Sequence, residues 1–195
     1  LDGAVPADLR HRLRQSPYHE ALVRSTLAER AGNMPEALHW AREAWARNPR
    51  MDGLRERMAM LALRTGAWGE AEGEALALLR HDPTNRVALL VLGLARQRVG
   101  AFDQAERYLG QLIALGGTTH PIALVAQSGN LLRAGKTAEA AELAERAADA
   151  DPNSLPTAVA LTVTRARSGH GDCREALARV HALDPGRDVP QTVFA

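Results

Sequence analysis

Five glycines keep step along this chain. Gly32, Gly66, Gly100, Gly135 and Gly169 are separated by 34, 34, 35 and 34 residues, and other positions hold the same phase. Five residues after the first four glycines stand Ala37, Ala71, Ala105 and Ala140, and seventeen after them stand Pro49, Pro83, Gly117 and Pro152. Seven before each glycine the residue is small: Ser25, Ala59, Gly93, Ser128 and Thr162. A period of this length means that the folding unit is the repeat, and that each repeat buries its apolar face on its neighbours instead of on one central core.

Within each period, two segments place apolar residues about 3.6 residues apart, as in "RVALLVLGLARQRV" and "FDQAERYLGQLIAL". The chain is 46% hydrophobic but only 4% aromatic, so its interior is built of Ala and Leu, which suits closely packed helices better than sheets. Glycine just past the first helix supplies a residue that can turn with positive φ, and proline after the second helix stops further propagation. The fold expected is all-α. The spacing predicts helices over 18–31 and 35–47, 52–65 and 68–81, 86–99 and 102–115, 121–134 and 138–150, and 155–168 and 172–184.

This layout resembles the tetratricopeptide repeat, mainly in its small and chain-breaking positions. The third repeat carries it best, with Leu89, Leu92, Gly93, Gly100, Phe102, Ala105 and Leu109 in the expected places, while Trp68 holds the position of Phe102 one repeat earlier. The resemblance implies an α-solenoid of about five tandem helix-turn-helix units in a right-handed superhelix, with repeats over 18–51, 52–85, 86–120, 121–154 and 155–188. The fifth departs from the pattern: Ala176 arrives two residues late after "GHGD", and Pro185 ends its second helix early. Residues 1–17, with Leu9 and Leu13 on one face, read as a leading helix or the remnant of a preceding repeat, and 189–195 as a C-terminal tail.

Little chemistry accompanies the pattern. "GNLLRAGKT" places five residues between Gly129 and Gly135 where a phosphate-binding loop needs four, and no strand precedes it. His170 and Cys173 are too few for a zinc site without a second ligand pair. The other histidines are scattered, and no nucleophile elbow is present, so no catalytic, cofactor or metal residue is expected. Net charge is +1, with a single lysine, Lys136, among 23 arginines, which gives no broad basic field for nucleic acid. The arginine bias is that of a GC-rich bacterial genome. No apolar run is long enough to span a membrane. The single Cys173 excludes an internal disulfide. A start at Leu1 is expected of a processed protein or a piece of a longer one, and the compartment stays open between cytoplasm and periplasm.

One periodic feature points to function. The residue two before each glycine is always arginine: Arg30, Arg64, Arg98, Arg133 and Arg167. Such a cation suits the last turn of a helix, and it also offers a ladder of anchors for carboxylates. Counting back along the same faces gives Leu22 and Thr26; Glu56, Met60 and Leu63; Leu90, Leu94 and Gln97; Val125, Gly129 and Leu132; and Val159 and Val163. These define an apolar groove with a basic rim along the first helices, and a repeating apolar patch of this kind marks a binding or self-association surface.

The function expected is a non-catalytic scaffold that binds a peptide or partner helix in its concave groove. The resemblance implies assembly, secretion, envelope or chaperone-like roles. Leu22 and Thr26 stand where the family's carboxylate clamp for chaperone tails would want Lys and Asn. Two alternatives remain open: a substrate-docking region of a larger glycosyltransferase, sulfotransferase or hydroxylase, and a repeat protein that assembles with itself.

Overall fold

Alanine, leucine, arginine and glutamate fill the periodic segments, and all four favour helix. The computed structural model of the chain describes residues 16–116, 120–169 and 171–185. Among these it places ten helices: α1 Pro17–Arg30, α2 Met34–Arg47, α3 Asp52–Thr65, α4 Trp68–His81, α5 Arg86–Arg98, α6 Phe102–Gly116, α7 Pro121–Arg133, α8 Thr137–Ala150, α9 Leu155–Ser168 and α10 Cys173–Leu183. No strand occurs among the described residues. The predicted helix boundaries hold to within a residue or two. The leading segment with Leu9 and Leu13, the breaker position Gly117, His170 and the tail over 189–195 lie outside the described residues.

The glycine phase has one physical cause. At the end of α3 the amide of Ala67 donates to the carbonyl of Ala62 at 2.9 Å, and that of Gly66 to Leu63 at 3.3 Å, which closes a Schellman turn on carbonyls the helix leaves unpaired. The turn requires the left-handed region, and Gly66 takes φ of 79°. The same pair of bonds ends α1, α5 and α7, through Asn33 to Ala28, Ala101 to Arg96 and Lys136 to Leu131. In each case the next helix starts two residues after the glycine. After α9 the Gly169 amide donates to the Arg165 carbonyl at 3.0 Å, and α10 starts late, at Cys173. The departure read from "GHGD" is therefore a helix start delayed by two residues.

Short turns make consecutive helices antiparallel, and the small residues set how near they come. Ala37, Ala71, Ala105 and Ala140 have no exposed surface. Opposite two of them a serine uses its hydroxyl to tie the crossing: Ser25 Oγ donates to the Ala37 carbonyl and Ser128 Oγ to the Ala140 carbonyl, both at 2.8 Å. Thr162, the equivalent residue of the fifth repeat, bonds back to Ala158 of its own helix. By contacts the chain divides into two compact units, Leu1–Ala95 and Arg96–Ala195, with the boundary inside α5. In the first, α1 packs on α2, α2 on α3 and α3 on α4. In the second, α6 packs on α7, α7 on α8, α8 on α9 and α9 on α10, and α7 also reaches α9.

Two stability outcomes follow from the turn and the crossing. A Cβ at Gly66 would meet nothing closer than 3.8 Å, so Gly66→Ala suffers only from its φ and should cost about 1–2 kcal/mol in thermal or urea unfolding. Ala71→Leu, which forces a larger side chain into a closed crossing, should cost about 1–3 kcal/mol in the same measurement.

Candidate functional site

Helix α8 is antiparallel to both α7 and α9, so these two first helices run parallel and lie side by side. On α7, Val125, Gly129 and Leu132 fall on one face at i, i+4 and i+7. On α9, Leu155, Val159 and Val163 repeat every four residues, with Pro156 and Ala160 beside them. Together with Ser128 these residues line an open cavity of about 400 Å³. The hydroxyl of Ser128 is turned away to the Ala140 carbonyl, which leaves the walls almost wholly aliphatic. Next to it, Gln97 Nε2 donates to the Ala126 carbonyl at 3.0 Å and to Asn130 Oδ1 at 2.9 Å, fixing the back of α7. Neither α7 nor α9 carries an Asp or Glu.

The structure thus brings Val125, Leu132, Val159 and Val163 of the predicted groove into one site. Leu155, Pro156 and Ala160 complete it; the four-residue stripe through Val159 carried the signal for Leu155. Of the remaining predicted groove residues, Leu22, Met60 and Leu94 are half-buried, whereas Leu63 and Leu90 are 9% and 4% exposed and act in packing. Glu56 accepts from the Asn85 amide nitrogen at 2.7 Å, and Asn85 in turn caps α5.

The five arginines all sit in the last turn of a first helix but have different surroundings. Arg64 donates to Glu29 at 2.9 Å, and the other oxygen of Glu29 lies 2.7 Å from Arg57, so a single carboxylate ties α1 to α3. Arg133 lays its guanidinium over the Phe102 ring, 4.6 Å from the centroid. Arg30, Arg98 and Arg167 are exposed, and Arg30 and Arg167 form no ion pair with any described residue.

A second and larger cavity, about 620 Å³, opens between α8, α9 and α10, with Ala148, Leu161 and Ala176 in its floor and Glu145, Asp149, Arg165, Glu175 and Arg179 around it. Its origin is visible by comparison with the first two repeats. There Arg42 of α2 makes a forked ion pair with Glu70 of α4. At the corresponding places, allowing for the late start of α10, stand Glu145 and Glu175, two carboxylates in place of a pair. Arg165 lies between them at 3.5 and 3.6 Å. It needs the room left by Gly171, whose Cβ, if it had one, would come within 2.9 Å of Arg165 Nε. No group of three or more His, Cys, Asp or Glu among the described residues is placed to hold a metal ion. No described helix is long and apolar enough to cross a membrane.

Removing the carboxylate shared by Arg57 and Arg64 tests the first unit's network. Glu29→Gln should lower stability by about 0.5–1 kcal/mol at low salt, and by less in concentrated salt, because these partly exposed pairs are screened. Urea unfolding at two ionic strengths reads the difference.

No family model matches the chain. Among curated relatives, the DNA repair protein RecN of Mycobacterium tuberculosis (strain CDC 1551 / Oshkosh) is 33% identical over 119 residues, 60% of this chain and 20% of that protein. The cellulose synthase operon protein C of Pseudomonas fluorescens (strain SBW25) is 32% identical over 152 residues, 73% of this chain and 12% of that protein. The chain therefore spans a fifth or less of the length of these relatives. Solved structures match over nearly all of it. A thermophilic TPR protein of Thermus thermophilus superposes with a TM-score of 0.70 at 18% identity, covering 87% of this chain and 92% of that one. MamA from Desulfovibrio magneticus RS-1 gives 0.67 at 17% identity over 89% and 98%. A tetratricopeptide repeat protein from Parabacteroides merdae ATCC 43184 gives 0.63 at 15% over 87% and 68%. At such identities the likeness establishes the fold.

Proposed function

We propose that this chain, which has the all-α helical-repeat fold of tetratricopeptide-repeat proteins, is a protein-interaction scaffold whose α7–α9 cavity receives apolar side chains of a partner segment. The observation that carries this reading is the cavity itself: Val125, Leu132, Leu155, Val159 and Val163 surround about 400 Å³ of open space between α7 and α9. Its volume falls at the lower end of the roughly 300–1,000 Å³ typical of ligand sites, a size for a few side chains. Burying one Leu- or Phe-sized side chain there contributes about 1.5–3 kcal/mol, so two or more anchors along a segment are needed for a stable complex. The walls are aliphatic apart from Ser128, whose hydroxyl is engaged by the Ala140 carbonyl, and binding is the chemistry they can perform.

The curated relatives are much longer than the part this chain matches, and a cavity of this kind serves a free scaffold and a docking region within a longer polypeptide equally well. The reading concerns the site and holds for either.

Selection of a displayed random-peptide library on the chain, followed by calorimetry of the selected peptides, tests it. Peptides with spaced apolar residues should emerge, bind with a negative heat-capacity change, and lose at least about tenfold in affinity on Val163→Glu, since a carboxylate would then stand among aliphatic walls. Val163 is only half-buried, so the variant should keep its helical circular dichroism. Selected peptides that bind wild type and Val163→Glu equally would place the site elsewhere.

A further inference from the structure

Resting on the α7–α9 cavity as a binding site, we infer that its partner is an acidic segment, with carboxylates set at one end of its apolar anchors to meet Arg133 and Arg167. Three observations converge on this. First, charge is segregated within the second unit. Helices α7 and α9 contain no acidic residue, whereas α8 carries Glu139, Glu142, Glu145 and Asp149 and α10 carries Glu175. An acidic segment on the α7–α9 side therefore meets no like charge on the helices that line its site, and a basic one meets no partner.

Second, the cavity's own stripes run into the two arginines. Arg133 follows Gly129 by four residues and Arg167 follows Val163 by four, so each continues the lining face by one helical turn. Because α7 and α9 run parallel, both arginines lie at the same end of the cavity. Neighbouring helix axes stand about 8–10 Å apart, a gap that an extended segment crosses in about three residues. The two guanidinium charges also outweigh the helix C-termini on which they sit, since each terminus carries only about half a negative charge.

Third, these arginines remain available where Arg64 in the first unit is not. Arg64 is held by Glu29, and Arg165 of α9 is drawn into the other cavity by Glu145 and Glu175. Arg167 is exposed without an ion pair to any described residue, and Arg133 uses the face of its guanidinium on Phe102. A guanidinium stacked in this way keeps the N–H groups along its edge, and these suit a carboxylate. Lys136 in the turn after α7 adds a further cation, and Glu139 and Asp172 belong to the starts of the second helices.

The test uses the intact chain and the same displayed random-peptide library. The sequences selected should be enriched in Asp and Glu on one side of their apolar residues. The best of them, as a synthetic peptide, should bind at least about tenfold more weakly to the Arg133→Gln, Arg167→Gln double variant, and its affinity for wild type should fall with added salt. Arg167→Gln alone should show part of the loss with an unchanged melting temperature, which guards against a stability effect from losing the Arg133–Phe102 contact. Arg30→Gln, an exposed arginine of the first unit, should leave binding unaltered. Peptides that Val163→Glu releases but that are neutral or basic, and indifferent to the double variant, would overturn the acidic partner and leave the cavity standing as a binding site. Peptides indifferent to Val163→Glu, or no selection at all, would overturn both. A dimer of the chain in sedimentation that Val163→Glu dissociates would give the cavity to a second copy and overturn the acidic segment as occupant.

Discussion

The contact on which everything else depends is the crossing of two helices at a residue with no more than a methyl group. Ala37, Ala71, Ala105 and Ala140 are wholly enclosed, and the residue facing each crossing from the first helix is Ser, Ala or Gly. A larger side chain at either place would push the axes apart. Such a crossing is reached only if the chain turns back at once, which the Schellman turn at Gly32, Gly66, Gly100 and Gly135 achieves in two residues. Glycine and alanine thus keep one phase because they serve one geometry. The buried serines show the same closeness from another side: Ser25 and Ser128 can reach a carbonyl on the opposite helix at 2.8 Å only where backbones nearly touch.

This is why the fold was legible in the sequence. The signals lay in backbone-determining residues, and those act locally: glycine at the turn, small residues at the crossing, proline after the second helix. Even the irregular fifth repeat was legible, since two extra residues before Ala176 correspond to α10 starting two residues late. The site was legible only in outline. Counting along helix faces found Val125, Leu132, Val159 and Val163, but it gave the same weight to Leu63 and Leu90, which the fold buries. A helix face tells which residues point the same way; whether a neighbour covers them depends on the width of the gap, and no single helix encodes that.

The arginine ladder fails to be uniform for a related reason. Position in the last turn is a local property, and all five arginines share it. What each guanidinium then meets is a tertiary property: a carboxylate from the preceding repeat at Arg64, an aromatic ring from the second helix of the preceding repeat at Arg133, and no ion-pair partner among the described residues at Arg167. Substituting one partner residue changes a rung from structural to available without touching the repeat signal. Arg42 and Glu70 against Glu145 and Glu175 make the same point with opposite consequence, because there an ion pair has become two like charges with an arginine from a third helix, Arg165, between them.

The cavities on either side of α9 follow from how α8 is used. Five of its alanines, Ala140, Ala141, Ala144, Ala147 and Ala148, are buried, and the helix packs on both α7 and α9. A helix whose buried face is methyl groups draws both neighbours close to itself, but it cannot fill the space between them on their far side. That space is left to the side chains of α7 and α9, and a Gly with Val, Leu and Pro is too little to close it. The opposite consequence appears where α8 faces α10 across the second cavity: the late start of α10 displaces one wall, and charged side chains long enough to reach across line the opening instead. Aliphatic lining on one side and charged lining on the other therefore come from a single alanine-rich helix and a two-residue delay. Only the aliphatic one presents surface that water leaves at a gain when a partner arrives.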